Sequence, residues 1–279
     1  MPPPPPGPDV LELYRWAVQD PVTQACVLQR IYSHSWPGRR PTVLREDFAG
    51  TAMDSIAWVA ISEGRQAIAV EIDEPTLAWA ERRAHALLAE RAAGMTFVRG
   101  DVCQIGPPEV PTAHVVAALN FSIFAFHARA DLRAYFANAR RSLCDHGVLV
   151  VNAFGGPERM TAHERTTAVA DRHGLPGEAP PPPFEYRWQQ LPYDALTGVA
   201  ECRIHFHRDD EAGFEVLDAF RYSYRLWTLP ELVEIAHEAG FRGVRVWQHT
   251  NEPAAGVFLG PVERLEVEGR WVAYLVAVP

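Results

Sequence analysis

Between Thr42 and Val151, short apolar runs alternate with stretches whose apolar residues recur at helical spacing. This alternation limits the fold more than any other feature of the chain. Thr42–Leu44 reads as a short strand running into Glu46-Asp47-Phe48-Ala49-Gly50-Thr51-Ala52, and a helix follows from Met53 to Glu63. Gln66–Ile72 is the next strand. Pro75 to Ala92 is helical, because Leu77, Ala80, Ala84 and Leu88 share one face. Thr96–Arg99 and His114–Asn120 are strands. Ala130–Leu143 is a helix, Cys144–Gly147 its exit turn and Val148–Val151 the next strand. Strands separated by helices need crossover connections, which are right-handed and build a parallel sheet. The expected fold class is α/β, with a Rossmann-like sheet.

The rhythm breaks after Gly155-Gly156. Residues 157–183 are polar and close on Pro180–Pro183; three β-like stretches follow at Phe184–Leu191, Val199–His207 and Phe214–Leu226. In the second, Ile204 and Phe206 face one way and Arg203, His205 and His207 the other. We therefore expect an antiparallel β cap inserted over 157–226 into a core made of 10–156 and 227–279. The core opens with an apolar stripe from Val10 to Tyr32 that Pro21 breaks into two helices, forming an N-terminal helical lid. Residues 1–9, with the Pro2–Pro6 run, read as a disordered tail. Thr228-Leu229-Pro230-Glu231 is a capping box that restarts the α/β order, its helix ends at Gly240, and Val244–Gln248 and Val272–Val278 are the last strands.

Composition removes several function classes. The chain has 279 residues, 48% of them hydrophobic, enough for a full core. Its formal net charge is −9 and it has no cationic run, so no nucleic-acid partner is expected. Cys26, Cys103, Cys144 and Cys202 are far apart and form no CxxC pair, which suits reduced thiols in a cytoplasmic protein and implies no metal site. No apolar run is long enough to span a bilayer, so no membrane partner is expected. A homodimer is compatible with the sequence.

Three elements suggest a ligand site. Gly50 sits in a small-residue turn between a strand and a helix, where a ligand can approach the backbone and meet free N–H groups. Val70-Glu71-Ile72-Asp73 places an acid at the end of the second strand, where ribose hydroxyls are held in Rossmann-type sites. Asp73 also reads as the N-cap of the helix that follows. Gly100-Asp101-Val102 follows the third strand, where an acid can accept from an adenine amino group.

These segments, with Ala117-Ala118-Leu119-Asn120-Phe121-Ser122, resemble in order the motifs of class I S-adenosylmethionine-dependent methyltransferases. The resemblance covers 43–156 and 228–278, and the inserted sheet resembles the glycine and sugar-amine N-methyltransferase subgroup. It implies that S-adenosyl-L-methionine is the cofactor. Glu46 would lie near the methionine amino group, with adjacent Asp47 the other candidate, and Gly50 and Thr51 would line the methionine and ribose. Asp73 would hold the ribose, Asp101 and Val102 the adenine, and Asn120 would sit beside the transferred methyl. Phe48 and Ala52 stand where that family has glycine. His127 is the candidate base, with Asn120 orienting the acceptor. Tyr14 and Trp16 are candidates for a lid whose aromatic faces suit a sulfonium, with Trp16, Ser122, Arg203 and His205 toward the substrate. The implied activity is methyl transfer to nitrogen or oxygen of a small-molecule acceptor. A non-catalytic methyltransferase-like binding module and a nicotinamide-dependent oxidoreductase are the alternatives; the latter calls for a G-x-G-x-x-G turn that Phe48–Ala52 fits poorly.

Overall fold

The computed structural model describes residues 7–170, 172, 174–210, 213–249, 258–266 and 269–279. The Pro2–Pro6 run lies outside the described residues. Asp9, expected in the tail, instead caps α1 (Val10–Val18), its carboxylate accepting from the Leu11 and Glu12 N–H groups. Asp20 caps α2 (Pro21–Ser35), with Pro21 in the first turn, where its missing N–H costs nothing.

The main sheet places β1 (Val43–Asp47) centrally, parallel to β2 (Gln66–Glu71) on one side and β4 (Ala113–Ala118) on the other. β3 (Met95–Arg99) extends it beyond β2 and β5 (Leu143–Gly155) beyond β4, both in parallel. Three antiparallel strands continue from β5: β12 (Trp271–Val278), β10 (Gly243–His249) and β11 (Phe258–Val262). The strand order reverses between β1 and β4, the switch point where open α/β sheets bind ligands at their carboxyl ends.

Both faces of this sheet are covered, as a parallel sheet requires. Leu44, Val115, Ala117 and Val150 pack toward α2 and α3 (Met53–Ala60), against Leu28, Ile31, Ile56 and Trp58. Val70, Val116, Ala118 and Val151 pack toward α5 (Arg129–Arg141) and α6 (Leu229–Glu238), against Leu132, Phe136, Leu232 and Ile235. Each large apolar side chain so buried contributes roughly 1.5–3 kcal/mol. α4 (Glu74–Leu88) flanks β2 and β3. The Thr228–Glu231 capping box is present, with both reciprocal bonds made.

The insertion is a second, antiparallel sheet of four strands: β6 (His163–Val169), β7 (Phe184–Gln190), β8 (Val199–Arg208) and β9 (Phe214–Arg225). Val169, Phe184, Ile204 and Phe206 on its inner face pack on Trp16 and Ala17 of α1. A buried ion-pair network fastens the same contact, because Glu178 accepts from both Arg15 (2.8 Å) and Arg83 of α4 (2.8 Å). The cap, α1 and the core are thereby tied together above the switch point. Among the described residues, no helix is long and apolar enough to cross a membrane.

Several sequence expectations need correction. β1 runs to Asp47, so Glu46 and Asp47 lie within the strand. Cys144–Gly147 belongs to β5, not to an exit turn. The helix after Pro75 ends at Leu88 and a 3-10 turn follows. β6 falls inside the stretch read as polar: among its residues Val169 alone is fully buried, so no alternation of hydrophobicity marks it.

Candidate active site

Two loops meet at the switch point, and both hold left-handed backbone. After β1, Phe48, Gly50 and Ala52 have φ of +56°, +52° and +52°; after β4, Asn120 and Phe121 have +53° and +65°. A non-glycine residue there costs on the order of 1–2 kcal/mol. Such strain persists where the surroundings over-determine it, most often at functional sites. A Cβ on Gly50 would meet nothing nearer than the Phe48 carbonyl at 4.0 Å, so its side-chain direction is open space. The Gly50 N–H donates to Glu71 (2.8 Å) and the Thr51 hydroxyl to Gln19 (2.6 Å) at the end of the lid helix.

The strand pleat separates the adjacent acids. Asp47 points to the side of Arg45 and is used up there: it accepts from Arg45 Nε (2.7 Å) and Tyr135 OH (3.1 Å), all buried. Glu46 points the other way and accepts from the Ser55 N–H in the first turn of α3 (2.8 Å). Burial holds its pKa well above the ordinary carboxyl range, with Asp54 and Glu71 adding repulsion. Burial, with Asp20 nearby, pushes Asp54 to about 7.

At the end of β2 the two acids have different partners. Asp73 is exposed and caps α4, accepting from the Thr76 N–H (2.9 Å), a bond that keeps its pKa low. Glu71, the last strand residue, accepts from the N–H groups of Gly50 (2.8 Å), Ile72 (2.9 Å) and Asp73 (3.0 Å) and so braces the β1 turn. Sequence reasoning missed Glu71. The available signal was Pro75 two residues after Asp73, which marks Asp73 as the cap and the other acid as the strand end. Asp101 lies in the turn after β3, its carboxylate accepting from the Cys103 N–H (2.8 Å); Val102 beside it is buried.

Three cavities open against these loops; one, about 250 Å³, lies toward α2 with Asp54 and Asn152 in its lining, and the other two lie toward the Gly50 turn and the cap. The cavity at the Gly50 turn, about 240 Å³, is lined by Gly50, Thr51, Gln19, Ser122, Tyr14 and Asn120, among others; Asp101 and Val102 are not among its lining. The cavity beneath the cap, about 460 Å³, lies between Phe121 and Phe154 on the core side and Tyr186 and Trp188 on the cap side. Tyr14, Asn120, Tyr222 and Tyr224 line both of these, so the two share a wall. Asn152 fixes the strained loop in that wall by accepting from the Phe121 N–H (2.8 Å). Tyr14 packs on Phe220 with ring centroids 4.9 Å apart, and burial raises its pKa to about 12, so its hydroxyl stays protonated.

Other sequence candidates fall elsewhere. His127 is exposed, its Nε2 is paired with the Ser223 carbonyl (2.8 Å), and it lines a separate outer groove with Asp194 and Glu201. Arg203 and His205 lie on the outer face of β8, not the inward one: Arg203 pairs with Asp218 (3.5 Å) and His205 Nδ1 accepts from the Asp218 N–H (3.0 Å). His207, on the same face, is exposed. The inward face belongs to Ile204 and Phe206, which must bury against α1. Trp16 is buried in that contact, donating to Glu12 (2.9 Å), and does not line the cavity that Tyr14, Ala17 and Val18 do.

No family model and no curated protein matches this chain. Its fold is that of the class I methyltransferases, with the mostly parallel sheet and the separate antiparallel sheet. It is similar to the S-adenosylmethionine-dependent methyltransferase from Clostridium acetobutylicum, with a TM-score of 0.67, 12% identity and 96% of each chain covered. It is similar to Streptomyces venezuelae DesVI, with a TM-score of 0.70, 17% identity and 97% of each chain covered. The sugar N-methyltransferase KedS8 from a Streptoalloteichus species gives a TM-score of 0.64 at 18% identity, over 96% of this chain and 93% of that one.

Proposed function

We propose that this protein transfers the methyl group of S-adenosyl-L-methionine to a nitrogen of a small molecule held under the inserted sheet. The observation that carries the reading is the shared wall: one cavity against the Gly50 turn and one beneath the cap meet at Tyr14, Asn120, Tyr222 and Tyr224. The residues present fit the cofactor, because the open space at Gly50 is a cradle that any side chain would fill. Gly50, Thr51 and Glu46 would hold its methionine and ribose portion, Glu71 the ribose hydroxyls, and Asp101 and Val102 the adenine. When bound, S-adenosylmethionine supplies a methyl group already activated by a sulfonium leaving group.

The chain then needs to align and desolvate, and alignment alone can contribute roughly 7–11 kcal/mol. Tyr14 offers an aromatic face to the sulfonium, and the cap excludes water. Asn120 orients the acceptor through its amide. With His127 tied to Ser223, the shared wall holds tyrosines and an amide and no base. That favours nitrogen over oxygen, since an amine needs only to shed a proton to water whereas an alcohol needs a base at the reacting atom. The reaction we place in the cytoplasm, because the four cysteines are free.

Calorimetry with S-adenosylhomocysteine and with NAD tests the reading. S-adenosylhomocysteine should bind one per chain, NAD should not, and Gly50→Val should weaken the former at least tenfold. Turnover of labelled cofactor on a pool of amine metabolites should follow. Preference for NAD, or affinity indifferent to Gly50→Val, would overturn it.

A further inference from the structure

Three adjoining segments of the insertion and the approach to β12, about a hundred residues later in the chain, each send an arginine to the cavity under the cap. Arg159 comes from the turn after β5, Arg165 from β6, Arg172 from the segment after β6, and Arg270 from the residue before β12. Glu158 is the only carboxylate in the lining. Among the described residues, no carboxylate lies within ion-pair distance of any of the four arginines, and Arg172 donates to the Ala17 carbonyl of α1 (3.3 Å). Elsewhere in the chain arginines facing the cap's outer side are paired, as Arg203 and Arg221 are with Asp218.

Arg159 is the centre of the group. Its guanidinium lies 4.8 Å above the Phe154 ring, and one terminal nitrogen is 3.0 Å from His163 Nε2. Its Nε is buried and has no hydrogen-bond partner. Burial, then repulsion from Arg270, lowers its pKa. Like charges gathered in a half-enclosed space oppose one another and disfavour the folded state unless a counter-charge joins them. Arg165 and Arg270 are exposed and stand at the mouth, whereas Asn120 and Phe121 form the opposite, inner wall. The guanidinium fork suits planar or tetrahedral oxyanions, which it can hold by two parallel hydrogen bonds.

We propose that the methyl acceptor is an anion, carrying a carboxylate or phosphate group that Arg165 and Arg270 hold at the mouth of the cavity, with Arg159 and Arg172 further in, while its nucleophile faces Asn120. The word acceptor rests on the methyl transfer proposed above; the anion site does not. Specificity then lies in the insertion and the approach to β12, in residues that carry no family motif. It also orients the substrate. With the anion fixed at the mouth, only the opposite end of the molecule reaches the shared wall.

The test is calorimetry on the full chain at fixed ionic strength, with and without S-adenosylhomocysteine. Inorganic phosphate, pyrophosphate, acetate and succinate are the probes, so the phosphate and carboxylate arms are separate. At least one arm should bind one per chain. Arg165→Gln and Arg270→Gln, both at exposed positions that leave the fold intact, should each weaken it at least tenfold, the loss expected for a hydrogen bond between charged groups. Arg203→Gln, on the outer face of the same sheet, should leave it unchanged. Failure of both arms overturns the proposal, as does equal weakening by Arg203→Gln or indifference to Arg165→Gln and Arg270→Gln. Anion binding without any S-adenosylhomocysteine binding would instead retain the anion site and remove the methyl-transfer reading; the reverse would do the opposite.

Discussion

Replacing Glu71 by alanine, with Asp73→Ala as its partner experiment, separates two acids that lie two residues apart. Glu71 accepts three backbone N–H groups, from Gly50 at 2.8 Å, Ile72 at 2.9 Å and Asp73 at 3.0 Å. The last two donors are exposed and water replaces the carboxylate there. The Gly50 donor is half-buried, and its loss lets the β1 turn relax. One hydrogen bond to a charged group is worth roughly 1.5–3 kcal/mol when buried. Partial exposure brings the stability cost to about 1–2 kcal/mol, or a fall in melting temperature of about 3–6 °C. On the proposed reading the cofactor would lose the braced turn and an acceptor for its ribose, so S-adenosylhomocysteine affinity should fall about tenfold to a hundredfold. Asp73→Ala removes a helix cap and should cost about 1 kcal/mol of stability, with affinity within about twofold of the parent. Thermal melts and calorimetry on the two variants read both quantities. Should Asp73→Ala weaken binding more than Glu71→Ala, the assignment of the strand-end acid is wrong.

Two further outcomes follow from the acids around the turn. Asp54 has a folded pKa of about 7 against 3.8 for the free group, so its stability contribution is full below the lower value and is lost as pH rises to the upper. The loss is at most about 4 kcal/mol, and Asp54→Asn should therefore melt higher than the parent at pH 8 and alike at pH 4; an equal gap at both would refute it. Asp47→Asn should destabilise by about 3–5 kcal/mol because it leaves Arg45 buried without its counter-charge, whereas Glu46→Gln should keep the melting temperature and weaken S-adenosylhomocysteine binding, with the opposite ranking counting against the division of roles.

The parallel sheet was readable in advance because parallel strands are buried on both faces, which leaves unbroken runs such as Val148–Val151 between periodic helices. The turn after β1 was readable because the small residues around Gly50 part a strand from a helix. What escaped was set by contacts between distant segments. Alternation in β8 divides Ile204 and Phe206 from Arg203 and His205, but it does not say which set faces inward. α1 decides that, through Trp16 and Ala17. His127 sits one residue beyond Phe126 in sequence, yet the carbonyl of Ser223 holds its ring on the outer side. The arginines of the lower cavity belong to the turn after β5, β6, the segment after it and the approach to β12. Only the closed fold brings them together, and each alone looks like a solvated cation.

The glycine-poor turn follows from the same distinction between backbone shape and ligand space. Phe48, Gly50 and Ala52 all take left-handed φ, so the turn keeps its shape with one glycine where three would relieve all the strain. At Phe48, which is half-buried, the side chain offsets part of that cost: its ring packs edge-on against Phe126 (5.7 Å) and Tyr135 (5.6 Å). Ala52 is wholly buried with Ala49, Ala69 and Ala80, where its methyl fills space that glycine would leave empty. Gly50 has no such compensation, because its Cβ would project into the open cradle. On the proposed reading, glycine is therefore required at Gly50, where the cofactor would approach the backbone. At Phe48, which also lines the cavity, and at Ala52, packing supports another residue.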